Sequence, residues 1–182
     1  MNTDLSNFDT GNFKPGPYWK VMLWYGFNYV FFYSAVPWPY SMKRKILQMF
    51  GARVGAGLVI KPRVRIKYPW KLSIGNYCWI GEDVWIDNLE HVDMKDNVCI
   101  SQGAMLLTGN HDYSISQFPY RLGKIFIEDG VWIGAKSVVC PGVICKSHSI
   151  LTVNSVATKQ MEALKIYAGN PAVFTRDRKI LK

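Results

Sequence analysis

The feature that most limits what this chain can fold into is a period of six. Ile127, Ile133, Val139, Cys145, Leu151 and Ala157 recur at that spacing, with a small or apolar residue four places after each of the first five: Val131, Ser137, Val143, Ser149 and Ser155. An amphipathic helix returns apolar residues at three and four, and a half-buried strand at two. Six fits neither. A fixed short period belongs to a solenoid of β-coils, whose units bury their apolar sides only by stacking.

The same rhythm starts at Val54 and slips in a regular way. Val54, Ile60, Ile66 and Leu72 keep step, the register restarts two residues later with Ile74, Ile80, Ile86 and Val92, and again with Met94, Ile100 and Leu106. A restart after every three hexads makes one coil three-sided, with the two extra residues at the same corner each time. The prediction is an all-β triangular prism with coils at 54–73, 74–93, from 94 onward, 127–144 and 145 to about 160. Lys61, Arg63, Arg65 and Lys67, between the inward positions, face outward.

Before the prism the chain changes character twice. Residues 1–17 are polar and rich in Gly, Asn and Pro, as a mobile arm would be. Trp19 to Val36 is almost continuously apolar and aromatic, and Ser41 to Phe50 reads as a short amphipathic helix containing Lys43, Arg44 and Lys45. The apolar piece is shorter than the roughly 20 residues of a membrane span and is interrupted by Gly26, Asn28 and Ser34. Segment 18–52 is therefore expected to be a helical cap on the open end of the solenoid, where a terminal coil otherwise exposes its interior and strand edges. A membrane-interface contact through the aromatic face and the basic triplet is the second reading.

With 49% apolar and 19% charged residues among 182, the chain can bury a core as one domain. A net charge of +9 points to an anionic partner, without choosing between a phosphate-bearing ligand, acidic lipid and nucleic acid. Cys78, Cys99, Cys140 and Cys145 form no CxxC pair, and the N-terminus does not read as a cleavable signal. Both suggest a reducing, cytoplasmic home, at the inner face of a membrane under the second reading of the cap, with all four thiols structural.

The third coil leaves the rhythm after Leu106 and Leu107, at Thr108-Gly109-Asn110-His111-Asp112-Tyr113, and rejoins it at Ile127. A polar loop (109–126) extruded from a rigid scaffold is where a site is expected. His111 stands at its root. His91 falls at a coil corner, and His148 lies in a polar hexad.

These residues carry a resemblance. The hexads, the Thr-Gly-Asn-His-Asp loop, Val131-Trp132-Ile133-Gly134-Ala135, Pro141-Gly142-Val143, Thr158-Lys159 and Ala168-Gly169-Asn170-Pro171-Ala172 resemble the hexapeptide-repeat acyltransferases. Tyr68-Pro69-Trp70-Lys71-Leu72, Ile100-Ser101-Gln102 and the aromatic N-terminal segment bring it closest to the colanic acid biosynthesis acetyltransferases. The resemblance spans nearly the whole chain. It implies a left-handed parallel β-helix, contrary to the usual crossover hand, assembled as a homotrimer with sites between subunits.

It also implies O-acetyl transfer from acetyl-CoA to a sugar or lipid-linked sugar hydroxyl, with no metal. His111 matches the family's catalytic base: a hydroxyl is too weakly acidic to attack a thioester unaided, and an imidazole can take its proton near neutrality. The cofactor pattern maps onto Trp132, Gly134, Ala135, Thr152 and Val153 for the pantetheine arm. It maps Thr158, Lys159 and Arg176 near the phosphates, and Asn170-Pro171 under the adenine, within a tail (161–182) that completes the site. Val153 is bulkier than the residue usual at such a position. Asp87, Asn88, Asn110, Asp112 and Tyr113 are the candidate acceptor contacts.

Four rival functions compete with this reading. A zinc hydratase on this fold needs several converging imidazoles, and the loop offers one. A non-catalytic trimeric scaffold would give His111, Lys159 and Arg176 no reason to occur together. A small soluble acceptor, a simple sugar or an antibiotic, stays open within the enzyme class. Nucleic-acid binding has no motif behind it.

Overall fold

A computed structural model describes residues 3–11 and 13–181. The hexads form three parallel sheets, one per face of the prism. The first face stacks Arg53–Val54, Leu72–Ile74, Val92–Met94, Ile125–Ile127 and Ile144–Cys145. The second runs from Val59–Ile60 through Trp79–Ile80, Cys99–Ile100, Trp132–Ile133 and Ile150–Leu151 to Lys165–Gly169, against which Ala172–Asp177 folds back antiparallel. The third stacks Arg65–Ile66, Trp85–Asp87, Met105–Leu107, Val138–Val139 and Val156–Ala157.

Register places the six-residue positions in three inner columns. Ile60, Ile80, Ile100, Ile133 and Leu151 form one. Val54, Ile74, Met94, Ile127 and Cys145 form the second, and Ile66, Ile86, Leu106, Val139 and Ala157 the third. All fifteen are buried. A buried Ile or Leu contributes about 1.5–3 kcal/mol, so the columns are the main stabilising feature. The chain rejoins the first face at Ile125, paired with Val92, two residues earlier than the hexad count places it.

The corners differ in chemistry. Between the second and third faces each coil turns through one left-handed residue, Arg63, Asp83, Gly103, Lys136 or Asn154, with φ from 56° to 67°. The corner between the third and first faces holds the extra residues. There the Asn88 side chain accepts from Tyr68 N (3.0 Å) and donates to the carbonyls of Tyr68 (2.6 Å) and Lys71 (3.2 Å).

The open end of the first coil is covered by helix α1 (Tyr18–Phe27), a π-helical segment (Asn28–Tyr33) and helix α2 (Tyr40–Met49). Trp24, Phe32, Leu47 and Phe50 join the prism core. The cap also replaces the donors of the coil that is not there. Gln48 Nε2 donates to Val54 O (2.9 Å) and Lys43 Nζ to Ile60 O (3.3 Å) and Lys61 O (3.1 Å). Trp24 Nε1 donates to Ile66 O (2.9 Å), and Arg44 Nε to Gly55 O (2.6 Å). The inner residue of each face thus has its carbonyl capped, which an end strand requires. Lys43, part of the lipid-facing cluster in the second reading of the cap, is fully buried, and Arg44 is spent on backbone. Only Lys45 of the triplet is exposed.

Candidate active site

The loop leaving the third face is a β-hairpin, Gly109–His111 paired with Tyr120–Leu122, with His111 opposite Tyr120. A Cβ at Gly109 would press against the Leu89 side chain. Thr108 fixes the root, its hydroxyl donating to Asp87 O (3.0 Å) and accepting from Glu90 N (2.9 Å).

His111 is held on several sides. Its Nδ1 lies 2.8 Å from Phe118 O, and a carbonyl can only accept, so Nδ1 carries a hydrogen and the basic nitrogen of the neutral ring is Nε2. The ring stacks on Phe118 (centroids 4.4 Å, planes 12°) and lies 5.0 Å from Tyr120. Residues 3–11, expected from sequence to be a free arm, run beside the hairpin. Asp4 N donates to Ser116 O (2.8 Å), and the Phe8 ring lies 5.7 Å from His111 and 5.3 Å from Tyr120. Phe13 packs edge-on to Tyr120. Sequence reasoning passed over Phe8 and Phe13; two aromatic residues in an otherwise polar arm were the available signal.

The acceptor candidates separate. Asn88 is fully buried and its amide is consumed by the corner, so it is not an acceptor contact. Asp87 beside it is buried and ion-paired: Oδ1 has no aligned hydrogen bond, and Lys67 Nζ lies 2.9 Å away. Near it the Tyr68 phenol is pushed up by burial, with Tyr25, Tyr120 and Asp87 adding to the shift. Asn110 Oδ1 accepts from His111 N (2.8 Å) and so serves the hairpin. Asp112 is held below the usual carboxylate range by the Ser114 hydroxyl and amide, so it organises the turn. Tyr113 projects from the loop, 84% exposed.

The cofactor candidates gather at the corner between the second and third faces. Ser101, Gln102, Trp132, Gly134, Ala135, Thr152 and Val153 line a groove of about 390 Å³. Trp132 Nε1 donates to Ser101 Oγ (2.8 Å), fixing the indole along the wall. Ser101, which the sequence marks only as part of the resemblance, was not among the expected cofactor contacts. A Cβ on Gly134 would sit 2.6 Å from Val153 N, so only glycine lets these coils approach. Thr152 bonds to Ser155 (3.1 Å), whose hydroxyl accepts from Gly169 N (3.0 Å) and ties the C-terminal hairpin to the groove. That hairpin turns at Asn170-Pro171, between its two strands.

Arg176 lines a second cavity of about 610 Å³ with Arg178 and Lys179, which shares Ile150 with the groove. Thr158 and Lys159 are not there. They follow Val156–Ala157 of the third face and lie exposed at the same corner column as His111. One protomer thus carries His111 and Lys159 on one edge of the prism and the groove on another, with the third face between them. Among the described residues no cluster of three or more His, Cys, Asp or Glu could hold a metal ion.

No family model matches the chain. Individual proteins do. WcaF of Escherichia coli (strain K12), named for colanic acid biosynthesis as an acetyltransferase, is 34% identical over 176 residues, covering 96% of this chain and 97% of WcaF. A galactoside acetyltransferase solved with coenzyme A superposes with a TM-score of 0.79 at 23% identity, over 88% of this chain and 81% of that one. A hexapeptide-repeat acetyltransferase of Vibrio cholerae solved with acetyl coenzyme A gives 0.74 at 20% identity, over 80% and 81%. The prism is the left-handed β-helix of these structures, and by its match to WcaF the chain belongs to the hexapeptide-repeat acetyltransferase family.

Proposed function

We propose that the chain transfers acetyl from acetyl-CoA to a sugar hydroxyl during exopolysaccharide assembly, in a homotrimer whose active sites form between neighbouring prisms. The observation that carries the reading is the His111 tautomer. With Nδ1–H given to Phe118 O, Nε2 is the nitrogen that a neutral ring leaves to accept a proton. Nε2 takes the proton of the acceptor hydroxyl as its oxygen bonds the acyl carbon. The same nitrogen returns that proton to the sulfur as the carbon–sulfur bond breaks. Acetyl-CoA supplies the thioester; the chain supplies position and the proton path.

The groove suits a narrow pantetheine arm. Gly134 and Ala135 present backbone with almost no side chain, Trp132 and Ile150 give an apolar wall, and neither Ala135 N nor Val153 N has a backbone partner among the described residues. Arg176 beyond Ile150, and Thr158 and Lys159 from a neighbouring edge, suit the anionic end of the cofactor, with Asn170-Pro171 toward the adenine. The trimer reading is supported by the separation of His111 from the groove. It is also supported by the outward column of the third face, where Trp85, Met105, Val138 and Val156 are apolar and only partly exposed. Asp87 is the first candidate for orienting the acceptor, and Tyr113 reaches furthest from the loop.

WcaF's name favours a polysaccharide acceptor. A small soluble acceptor is favoured by a second relative, a macrolide acetyltransferase of Lysinibacillus sphaericus, 35% identical over 111 residues but covering only 59% of this chain and 61% of that protein. Thiol release from acetyl-CoA against nucleotide sugars, glycosides, lipid-linked sugars and macrolides separates the two. His111→Ala should lower turnover by about 10²–10⁴-fold with coenzyme A binding retained. Full activity in that variant would refute the base assignment.

A further inference from the structure

The net positive charge of this protein comes from one stretch of its chain. Half of its 22 Lys and Arg lie between Thr10 and Gly81, where none of its 13 Asp and Glu occur; residues 82–182 balance eleven of each sign. That stretch is the end of the arm, the cap, the first coil and the start of the second. The cap also carries an apolar surface with nothing over it. Val21 and Trp24 of α1 and Phe32 of the π-helical segment are buried against the prism. Tyr18, Trp19, Met22, Leu23, Tyr29 and Val30 point the other way and are 46–77% exposed. The four in α1 fall within one arc of about 140° at 100° per residue, and that arc holds no charged residue.

A contiguous exposed patch of this kind marks a binding surface. Its chemistry selects the partner. A like face on a second copy would bring two cationic ends together, which is repulsive, whereas an acidic lipid surface attracts the charge and accepts the rings. Tyr and Trp suit the depth where acyl chains meet headgroups. No helix among the described residues is long and apolar enough to cross a bilayer, so the contact lies along the surface. We propose that the cap end docks on an anionic membrane, with the outer face of α1 and the π-helical segment in the headgroup layer. Lys14, just before α1, and Lys45, on the outer side of α2, are exposed and have no carboxylate partner among the described residues. They serve in place of Lys43 and Arg44, which the fold consumes. Val21 of α1 packs with Tyr68 and Leu89 under the hairpin, so docking would hold the His111 edge near the lipid. That arrangement suits a lipid-linked acceptor, a point that rests on the proposed activity; the docking itself does not.

The test is sedimentation of the full chain with phosphatidylglycerol–phosphatidylcholine vesicles and with pure phosphatidylcholine, at low and raised salt. Binding to the first, little to the second and weakening by salt are expected. Trp19→Ser with Leu23→Ser should bind about tenfold or more weakly, as should Lys14→Glu with Lys45→Glu, both with wild-type thermal unfolding. Trp19→Phe should bind as wild type but lose part of the fluorescence quenching given by brominated lipid. No binding by the intact chain, or binding and quenching unchanged by the Trp19 variants, would overturn the proposal. So would a change in assembly size by the Trp19/Leu23 pair in lipid-free buffer, which would assign the face to a second copy. Because no arm depends on acetyl transfer, failure here and failure of the activity assay are distinguishable.

Discussion

Lys43 gives a sharp prediction because its cost and its benefit depend differently on pH. Its ammonium has no solvent-accessible surface and is met by two backbone carbonyls, Ile60 O and Lys61 O, with the Phe32 ring 5.8 Å away. Burial lowers its pKa from 10.5 to about 8. Between those values the unfolded chain binds more protons than the folded one, so stability rises with pH through that window. Below pH 8 the full penalty for the buried charge is present; above 10.5 it is gone. Lys43→Met, close in length and without charge, loses the two hydrogen bonds but removes this slope. The stability of wild type minus that of the variant should therefore grow by about 2 kcal/mol from pH 7 to pH 9.5, at 1.36 kcal/mol per pK unit. Urea unfolding of both proteins at matched concentration checks it, since every other titrating group cancels in the difference. Parallel pH profiles would refute the reasoning, because they require a Lys43 whose pKa folding leaves unshifted.

The two neighbouring acceptor candidates should behave oppositely. Asn88→Ala leaves the Tyr68 amide and the Tyr68 and Lys71 carbonyls without partners, so a loss of about 2–4 kcal/mol in unfolding free energy is expected, with coenzyme A affinity of surviving protein unchanged. Asp87→Asn should keep the fold and raise KM for the acceptor; unchanged kinetics would remove Asp87 from the site. Gly134→Ala places a methyl against Val153 N and Leu151 O, and should cost about 1–3 kcal/mol in thermal or urea unfolding and weaken coenzyme A in calorimetry. Trp132→Ala, at a half-exposed position bonded to Ser101, should weaken coenzyme A severalfold while moving the melting temperature little; the reverse pattern would make the indole a packing residue.

How legible each part was follows from how local its physics is. The coil positions were readable because a buried six-residue column needs an apolar residue at every return, and no other structure rewards that spacing. The hairpin was readable as a break in the rhythm, and His111 as its root. Its tautomer was not, because Phe118 O reaches Nδ1 only after seven residues have turned back on themselves. Asn88 and Asp87 are adjacent and both polar, and only the packing of the corner shows that one amide is consumed by backbone while the carboxylate beside it meets Lys67 alone.

The sequence by itself determined the repeat, the three-sided coil, the place where the loop departs and the family, since each depends on residue types at fixed spacing. The tertiary structure decided where charge and contact go. It buried Lys43 under the cap because three columns of end carbonyls needed donors that no further coil supplied. It put His111 and Lys159 on one edge and the groove on another, because each face advances the chain a third of a turn, and no periodicity says which edges two neighbouring prisms will share.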